Sequence, residues 1–254
     1  MKLKIKREYN EELAFILCYP YPSEEEYSER IEELISLGVD EIELVGPVRL
    51  GRVRVVGKGY RGVIVRAYVA GKLYALKIRR VDSERESLED EALYTRIANA
   101  VNVGPSIYKY SRNFILREYV DGSNLPEWIL EASSKDLRRC LSNLLFQAFA
   151  LDMVGLDHGE LARPAKHVLV TSDGRPVIID FESASLRRRP RNLTRLTQYL
   201  FIRKGEVQEV IKSKLGAWDR DGLIEALREY KRTPSRRTFL LVMKTVGLYA
   251  SERN

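Results

Sequence analysis

The chain has 254 residues, of which 44% are hydrophobic and 31% charged, and it carries a formal net charge of +7. This length is enough for one large domain, or for two lobes whose cores need neither disulfides nor metals, and the composition excludes a disordered or fibrous chain. The two cysteines, Cys18 and Cys140, lack the spacing of a disulfide framework or a zinc site, and the sequence has no 18-residue apolar run and no signal peptide. We therefore expect a folded cytoplasmic protein with no membrane span and no disulfide partner.

Basic residues are concentrated in three clusters, at residues 2–7, 187–191 and 231–237. Clusters of this kind attract polyanions, so contact with RNA or a ribonucleoprotein is one interpretation. On a charge-rich protein they are more often solvated faces. The sequence leaves both interpretations open.

The first half of the chain is rich in strand signals. Residues 1–46 predict an N-terminal extension of strand, helix and strand, in which the helix begins at the capping box from Ser23 to Glu26 and ends at Gly38. Between residues 41 and 76, β-branched and apolar residues are interrupted by glycines, which predicts an antiparallel meander with a hairpin turn at residues 70–72.

The second half is rich in helix signals. A capping box from Ser83 to Glu86 predicts a helix that runs to about Val101. The elements predicted after it are two strands within 106–120, a long helix over 134–155, two strands within 167–180, and three or four helices over 192–250. This order predicts an α+β fold, with the N-terminal extension at 1–46, a β-rich lobe at 47–120 and a helical lobe at 121–254.

The glycines at 57, 59 and 62 form a GxGxxG run. In a dinucleotide-binding fold the third glycine opens a helix, but here residues 63–65 continue as a strand, so these glycines should form the tip of a hairpin. A tip without side chains lets backbone N–H groups approach phosphates. A Walker A motif is excluded because no Gly-Lys-Ser/Thr ending is present.

Lys77 lies on the next predicted strand, within the segment Tyr74-Ala75-Leu76-Lys77-Ile78. A lysine that alternates with apolar residues on a strand is usually a surface residue. It acquires a chemical interpretation here because Ala75 is small enough to face an adenine ring while Lys77 reaches the phosphates.

A carboxylate on the following helix is needed to hold Lys77. Glu91 shares a helical face with Leu88 and Thr95, so it should point inward. Glu84 and Glu86 remain alternatives.

Together these segments resemble protein kinases. GKGYRGVI, YALK and the helix acid resemble, in order, the Gly-rich loop, strand lysine and helix glutamate of that family. Residues 157–161, DHGEL, resemble the His-Gly-Asp-Leu catalytic loop of atypical RIO-type kinases and of the small kinase associated with tRNA modification. Residues 178–182, IIDFE, resemble the Asp-Phe-Gly metal-binding segment. The resemblance spans about residues 50–185 and implies a bilobal kinase-like fold that binds ATP and Mg²⁺ or Mn²⁺ between its lobes.

The resemblance also implies residue roles. The backbone at Gly57, Gly59 and Gly62 would cover the phosphates, and Lys77, paired with Glu91, would hold them. Asp180 would ligate the metal, because a hard cation prefers carboxylate oxygen. The remaining nucleotide contacts that it implies are Ile64, Ala75, Glu118, Tyr119, Val120, Leu169 and Ile179.

Three positions depart from the family pattern. Glu160 replaces the aspartate that orients the attacking hydroxyl, and Asp157 is the alternative base. His167 replaces an asparagine that binds a second metal, and because imidazole suits Mn better than Mg, we expect a weaker second site or a manganese preference. Glu182 replaces a glycine, and no Ala-Pro-Glu follows it. This implies that the activation loop and peptide platform of regulated kinases are absent.

The function that we expect is that of an atypical serine/threonine protein kinase, with itself as one candidate substrate. Two alternatives remain. The first is a small-molecule kinase on the same fold. The second is a pseudokinase that binds nucleotide and acts as a basic scaffold on RNA or a ribonucleoprotein.

Overall fold

The computed structural model describes residues 1–249. Within that range, helices and strands are mixed and the sheets of the N-terminal half are antiparallel, as the predicted α+β class requires. The chain divides into two compact units. The first consists of residues 1–96 and 105–119, and the second consists of residues 97–104 together with the described residues from 120 onward.

The first unit is built on strands. They are β1 (Lys2–Lys4), β2 (Glu41–Glu43), β3 (Val48–Leu50), β4 (Val53–Val55), β5 (Gly57–Lys58), β6 (Gly62–Val69), β7 (Lys72–Arg79), β8 (Ile107–Tyr110) and β9 (Phe114–Glu118). Its helices are α1 (Glu11–Leu17), α2 (Glu24–Leu37) and α3 (Glu89–Asn99), whose last three residues belong to the second unit.

The main sheet has the antiparallel order β1-β2-β6-β7-β9-β8, and β5 pairs with the end of β6. The turn from β6 to β7 consists of Ala70 and Gly71, which both have positive φ angles, of 48° and 76°. Such a turn matches the twist of the two strands that it joins. The predicted antiparallel strands and their hairpin turn at residues 70–72 are confirmed. They do not form a single meander, because β2 pairs with β6, and β3 and β4 form a separate two-stranded sheet.

The two faces of this sheet have different partners. Residues opposite each other on neighbouring strands share a face. Val65, Leu76 and Leu116 are aligned in this way and lie in one apolar core with α1 and α2, so this is the back face. Ile64, Lys77 and Ile115 are aligned on the other side, which is the front face. The N-terminal extension therefore completes the core behind the strand that carries Lys77.

The helix α2 is capped as predicted. The Ser23 side chain accepts a hydrogen bond from the amide of Glu26, and Gly38 ends the helix with a φ of 78°. The sequence did not predict α1. A fully buried guanidinium, that of Arg30, fastens α2 to the end of α1 and to β7, because it donates to the carbonyl oxygens of Leu17 and Arg79.

The predicted start of α3 is wrong. The hydroxyl of Ser83 accepts from the amide of Arg85, two residues on, which forms a local turn instead of a helix cap. The helix begins at Glu89, whose amide donates to the hydroxyl of Ser87, and it ends at Asn99.

The second unit is mainly helical. Its helices are α4 (Leu125–Glu131), α5 (Ser134–Met153), α6 (Asn192–Thr197), α7 (Glu206–Leu215), α8 (Arg220–Arg232) and α9 (Arg236–Thr245), with a π-helical turn at Gln198–Ile202. Three short strands, β10 (Gly122–Asn124), β11 (Val168–Thr171) and β12 (Pro176–Ile178), form an antiparallel sheet in that order. The long helix and the four helices after residue 191 confirm the predictions, except that residue 250 lies outside the described range. The sequence did not predict β10.

Two further findings concern the expectations from composition. None of the helices among residues 1–249 is long and apolar enough to cross a membrane. Cys18 and Cys140 are both buried free thiols.

Candidate functional site

The glycine run forms the tip of a hairpin, as predicted. Strand β5 pairs with β6, and the amide of Gly59 donates to the carbonyl oxygen of Gly62 at 2.8 Å. Tyr60, between them, is 71% exposed. The tip therefore exposes one aromatic side chain together with the backbone of its glycines.

Of the three glycines in the run, Gly62 has the least room for a side chain. A Cβ atom at this position would lie 3.0 Å from Cε of Lys77 and 3.0 Å from the carbonyl oxygen of Ile78. At Gly59 a Cβ atom would meet its nearest neighbour at 3.7 Å, which is ordinary contact. The base of the hairpin and the lysine thus lie against each other.

Lys77 is held by a buried carboxylate. Its Nζ lies 2.8 Å and 2.7 Å from the two carboxylate oxygens of Glu91, and the two side chains are only 6% and 2% exposed. The structure therefore brings Lys77 and Glu91 together. The other acids on this segment, Glu84, Glu86 and Glu89, are exposed.

The front face around this pair is mixed, with apolar side chains beside Lys77 and with Arg66 and Arg117 opposite Ala75. Ile64 and Ile115 lie beside Lys77 on the neighbouring strands, and Ala75 lies two residues before it on the same face, buried. Ile115 also packs against Leu88, next to the start of α3. This contact fixes the helix that carries the carboxylate against the strand that carries the ammonium group.

The last residue of β9 and the two residues after it, Glu118 to Val120, are predicted to contact adenine. The carboxylate of Glu118 accepts from the amide of Ser106 at 3.2 Å. The hydroxyl of Tyr119 accepts from the guanidinium of Arg66 at 3.2 Å, and that guanidinium also lies 4.9 Å from the centre of the Tyr119 ring. Val120 is the first residue of this segment in the second unit.

Asp157, the alternative base, lies among arginines. Its carboxylate is fully buried and accepts from Nε of Arg188 at 2.9 Å and from Nη1 of Arg195 at 2.8 Å. The amide of Arg191 donates to the same carboxylate. These contacts make Asp157 the anchor of the arginine segment. Of the two predicted bases, Glu160 is the more exposed, and a base must reach the proton that it removes.

His158 connects the predicted catalytic loop to the predicted metal segment. It is fully buried, and its Nε2 donates to the carbonyl oxygen of Ile179 at 3.0 Å, while its Nδ1 accepts from the amide of Glu160 at 3.4 Å. Burial lowers its pKa to about 4, so the imidazole is neutral at pH 7. The ring also lies edge-on to Phe181, with centroids 4.9 Å apart.

Asp180 has an unusual backbone conformation. Its φ of 67° lies in the left-handed region, which is uncommon for a residue other than glycine and is often found at functional sites. Its side chain is 36% exposed, and its Oδ2 lies 3.7 Å from Nδ1 of His167. The amide of Ile179 donates to the carbonyl oxygen of His167, which holds the two segments side by side.

These two side chains fit a divalent metal. The Nδ1 atom of His167 is buried and forms no hydrogen bond with any described residue, although it is a strong polar atom. A carboxylate oxygen and an imidazole nitrogen are together a donor pair that suits Mn²⁺ better than Mg²⁺.

Glu160 lies at the start of a short irregular segment. Its side chain is partly exposed, and its carbonyl oxygen accepts from the amide of Arg163. A 3₁₀ turn at Pro164–Lys166 follows. Leu169 on β11 and Ile179 after β12 are both half-buried.

Sequence reasoning missed two features of the site. Arg188, in a run of exposed arginines, turns inward to Asp157, and alternation within such a run gives no signal for this. Tyr19 contacts the glycine hairpin from the extension, 38 residues earlier than Gly57, and the prolines around it only mark a loop.

No protein-family model matches this chain. No curated protein matches it either. The resemblance to kinases therefore consists of short motifs, and the residues described above have to carry the functional assignment.

Proposed function

We propose that this chain is an atypical serine/threonine protein kinase, which transfers the γ-phosphate of ATP, with Mg²⁺ or Mn²⁺, to a protein hydroxyl on a bilobal kinase-like fold. The observation that carries the proposal is the buried pair of Lys77 and Glu91 at the base of a glycine-tipped hairpin. A buried lysine that is fixed by a carboxylate next to such a backbone tip is suited to hold phosphates.

The first unit would bind the nucleotide. The backbone of residues 59–62 would donate to the phosphates, and Lys77, oriented by Glu91, would hold the α- and β-phosphates. Ala75, a small side chain two residues before Lys77 on the same face, would lie against the adenine ring.

The second unit would supply the chemistry. Glu160 would accept the proton of the acceptor hydroxyl. At the same time the oxygen of that hydroxyl would form a bond to the γ-phosphorus, and the bond between the γ-phosphorus and the bridging oxygen would break to release ADP. Asp180 and His167 would hold the cation, which when bound neutralises charge on the phosphates. His158, neutral and buried, would keep the Glu160 and Asp180 segments in register.

The experiment is a transfer assay with γ-labelled ATP, Mg²⁺ or Mn²⁺, and the full chain with and without a mixed protein acceptor. We expect label on protein with wild type, none with Asp180→Ala, and at least about a hundredfold less with Glu160→Ala. Glu89→Ala, an exposed acid on the helix that carries Glu91, is the matched control and should keep full activity.

The outcomes separate the alternatives. Wild type that is stabilised by ATP in a thermal melt, yet transfers no phosphate and hydrolyses no ATP with either metal, would make the chain a pseudokinase. Label that reaches small hydroxyl compounds but no protein would make it a small-molecule kinase. Absence of both transfer and thermal stabilisation would remove the nucleotide assignment altogether.

A specific observation favours a second candidate, a nucleotide-binding scaffold on RNA. Arg189 donates to the carbonyl oxygens of Lys231 and Arg232, so two basic clusters that are separate in sequence are neighbours in the second unit. Residues 120–254 contain 23 Lys and Arg against 17 Asp and Glu, a net +6 of the +7 of the whole chain. Neighbouring guanidinium groups of this density suit a phosphate backbone.

Binding of a fluorescent RNA duplex over a salt series tests this candidate. The double variant Arg187→Ser/Arg191→Ser should weaken binding about tenfold at low salt and flatten the salt dependence, since each lost phosphate contact removes about one counterion from the slope. Lys135→Ser/Lys212→Ser, which removes two exposed lysines outside the clusters, is the control. Equal losses in both double variants would indicate an effect of net charge instead of a binding surface.

A further inference from the structure

Tyr19, in the N-terminal extension, contacts the glycine hairpin from the back face of the sheet. Its hydroxyl accepts a hydrogen bond from Nζ of Lys58 at 3.0 Å, and Lys58 is the residue immediately before Gly59. Its carbonyl oxygen accepts from the amide of Val81 at 3.0 Å, just after β7. One residue of the extension therefore touches both the hairpin and the end of the strand that carries Lys77.

Two cations lie close to the Tyr19 ring. Nζ of Lys58 is 5.0 Å from the ring centroid and the guanidinium of Arg80 is 5.3 Å from it. Both distances are within the range of cation–π attraction. Phe15 on α1 lies edge-on to the same ring, with centroids 5.8 Å apart. The tyrosine thus packs against α1, and its ring and hydroxyl contact the hairpin.

Arg80 extends this contact to the tip of the hairpin. Its amide donates to the carbonyl oxygen of Arg61 at 2.9 Å, and its Nη1 lies 3.5 Å from the carbonyl oxygen of Gly59. Asp82 binds the same guanidinium at 2.8 Å and 2.5 Å, and this hydrogen bonding raises the pKa of Arg80 and lowers the pKa of Asp82. We call Tyr19, Lys58 and Arg80 the tyrosine latch.

The hairpin needs support of this kind. Strand β5 has two residues, and a hairpin so short, with glycines at its tip, loses much conformational entropy when it is ordered. Lys58 pairs with Val63, whose side chain lies in the back core, so its ammonium group points away from the front face. Lys58 is therefore available to the latch and not to a phosphate on the front face.

We infer that Tyr19 is a positioning residue that orders the glycine hairpin and thereby sets the affinity for the triphosphate. The inference rests on the proposed function, since the hairpin is the element assigned to the phosphates. Order that is present before binding does not have to be created by the ligand, so a latched hairpin binds phosphates more tightly than a loose one.

Calorimetric titration of the full chain with ATP and with adenosine tests the inference. We expect ATP to bind about threefold more weakly to Tyr19→Phe, which loses one hydrogen bond, and about tenfold more weakly to Tyr19→Leu, which also loses the cation–π contacts. Adenosine lacks phosphates, so its affinity should change less than twofold. Tyr21→Phe is the matched control, because Tyr21 is 72% exposed and two residues away.

Two results would overturn the positioning role. Equal losses for ATP and adenosine would mean that Tyr19 only stabilises the unit, and unchanged ATP affinity in Tyr19→Leu would mean that the latch does not act on the ligand. Lys58→Met combined with Tyr19→Phe should weaken ATP binding no more than Lys58→Met alone, since that single change already removes both the hydrogen bond and the cation–π contact between the two residues.

Amide hydrogen exchange without nucleotide separates this inference from the proposed function. Exchange at residues 59–61 should be faster in Tyr19→Leu than in wild type and unchanged in Tyr21→Phe. If the wild type did not bind ATP, the proposed function would be wrong, and so would the inferred effect of Tyr19 on the affinity for the triphosphate. Unchanged exchange at residues 59–61 in Tyr19→Leu would defeat the latch alone.

Discussion

The two units hold their candidate site residues in opposite ways. In the first unit, Lys77 and Glu91 lie on a strand and a helix, are almost fully buried, and neutralise each other at 2.7 Å. In the second unit, Asp180 and His167 lie outside regular strands and helices, 3.7 Å apart, with a third of the Asp180 side chain exposed and its backbone left-handed.

This difference separates a preformed ion pair from a strained loop segment. The register of the sheet and the face of α3 determine where the lysine and its carboxylate meet, and the structure holds that pair without any ligand. At Asp180 the backbone adopts a conformation that costs energy, and the nearby imidazole nitrogen of His167 is buried without a hydrogen bond in the described chain. A cation held there, as proposed, would stabilise this segment, whereas the pair of Lys77 and Glu91 is neutralised without one.

The largest effect should come from breaking the buried pair. Lys77→Met leaves the carboxylate of Glu91 without this counter-ion, so we expect a loss of about 3–5 kcal/mol in the free energy of unfolding, together with loss of phosphate transfer. Urea denaturation measures the first and the labelled-ATP assay the second.

The double variant Lys77→Met/Glu91→Leu is the control for this prediction. It replaces both charges by apolar groups and should recover most of the stability while remaining inactive. A double variant that regained transfer would show that the pair is structural only.

Next in size is the contrast between two aspartates of the second unit. Asp157→Asn removes the charge that binds Arg188 and Arg195, and because these arginines are 50% and 27% exposed, we expect a loss of about 2–3 kcal/mol. Asp180→Asn should change stability by less than about 0.5 kcal/mol, since asparagine tolerates the left-handed conformation well.

The measurement for the two aspartates is a thermal melt with and without Mn²⁺. Wild type and Asp157→Asn should both be stabilised by the metal, and Asp180→Asn should not. Metal stabilisation that survives in Asp180→Asn would exclude this residue as a ligand.

The contrast between the units also explains what the sequence could predict. Alternation placed Lys77 and Ala75 on one face, helical spacing placed Glu91 toward them, and glycine chemistry placed the hairpin tip, because strands and helices repeat with fixed periods. The helix start at Ser83 was wrong because a serine that caps a helix and one that closes a turn have the same sequence signature.

Loops have no periodic pattern, so the sequence could not predict which of their side chains are buried. It could not tell that Asp157 is buried under two arginines while Asp180 is partly exposed, since both are acids after short apolar segments. The ion pair of Arg188 with Asp157 and the contact of Tyr19 with the hairpin depend on segments that are distant in sequence, and no local pattern encodes them.

A smaller effect concerns pH and the neutral histidine of the second unit. Burial lowers the pKa of His158 to about 4, whereas in the unfolded chain it is near 6.5. Between these values the unfolded state binds a proton that the folded state does not, so stability falls as the pH falls from about 6.5 to 4. Wild type should lose about 2 kcal/mol more than His158→Gln between pH 8 and pH 5. Parallel curves of unfolding free energy against pH would contradict the buried neutral state.

The smallest effect distinguishes two glycines of the hairpin in the first unit. Gly62→Ala places a methyl group 3.0 Å from a backbone oxygen and from the side chain of Lys77, whose ammonium group Glu91 already fixes. We expect a loss of about 1 kcal/mol, typical of mild overpacking, and weaker ATP binding because the lysine must shift. Gly59→Ala meets its nearest neighbour only at 3.7 Å and should stay within about 0.5 kcal/mol of wild type. Urea denaturation and ATP titration of both variants test the pair. If the two alanines weakened ATP binding equally, backbone freedom at the tip, and not the close approach of the hairpin to Lys77, would explain why glycine stands at both positions.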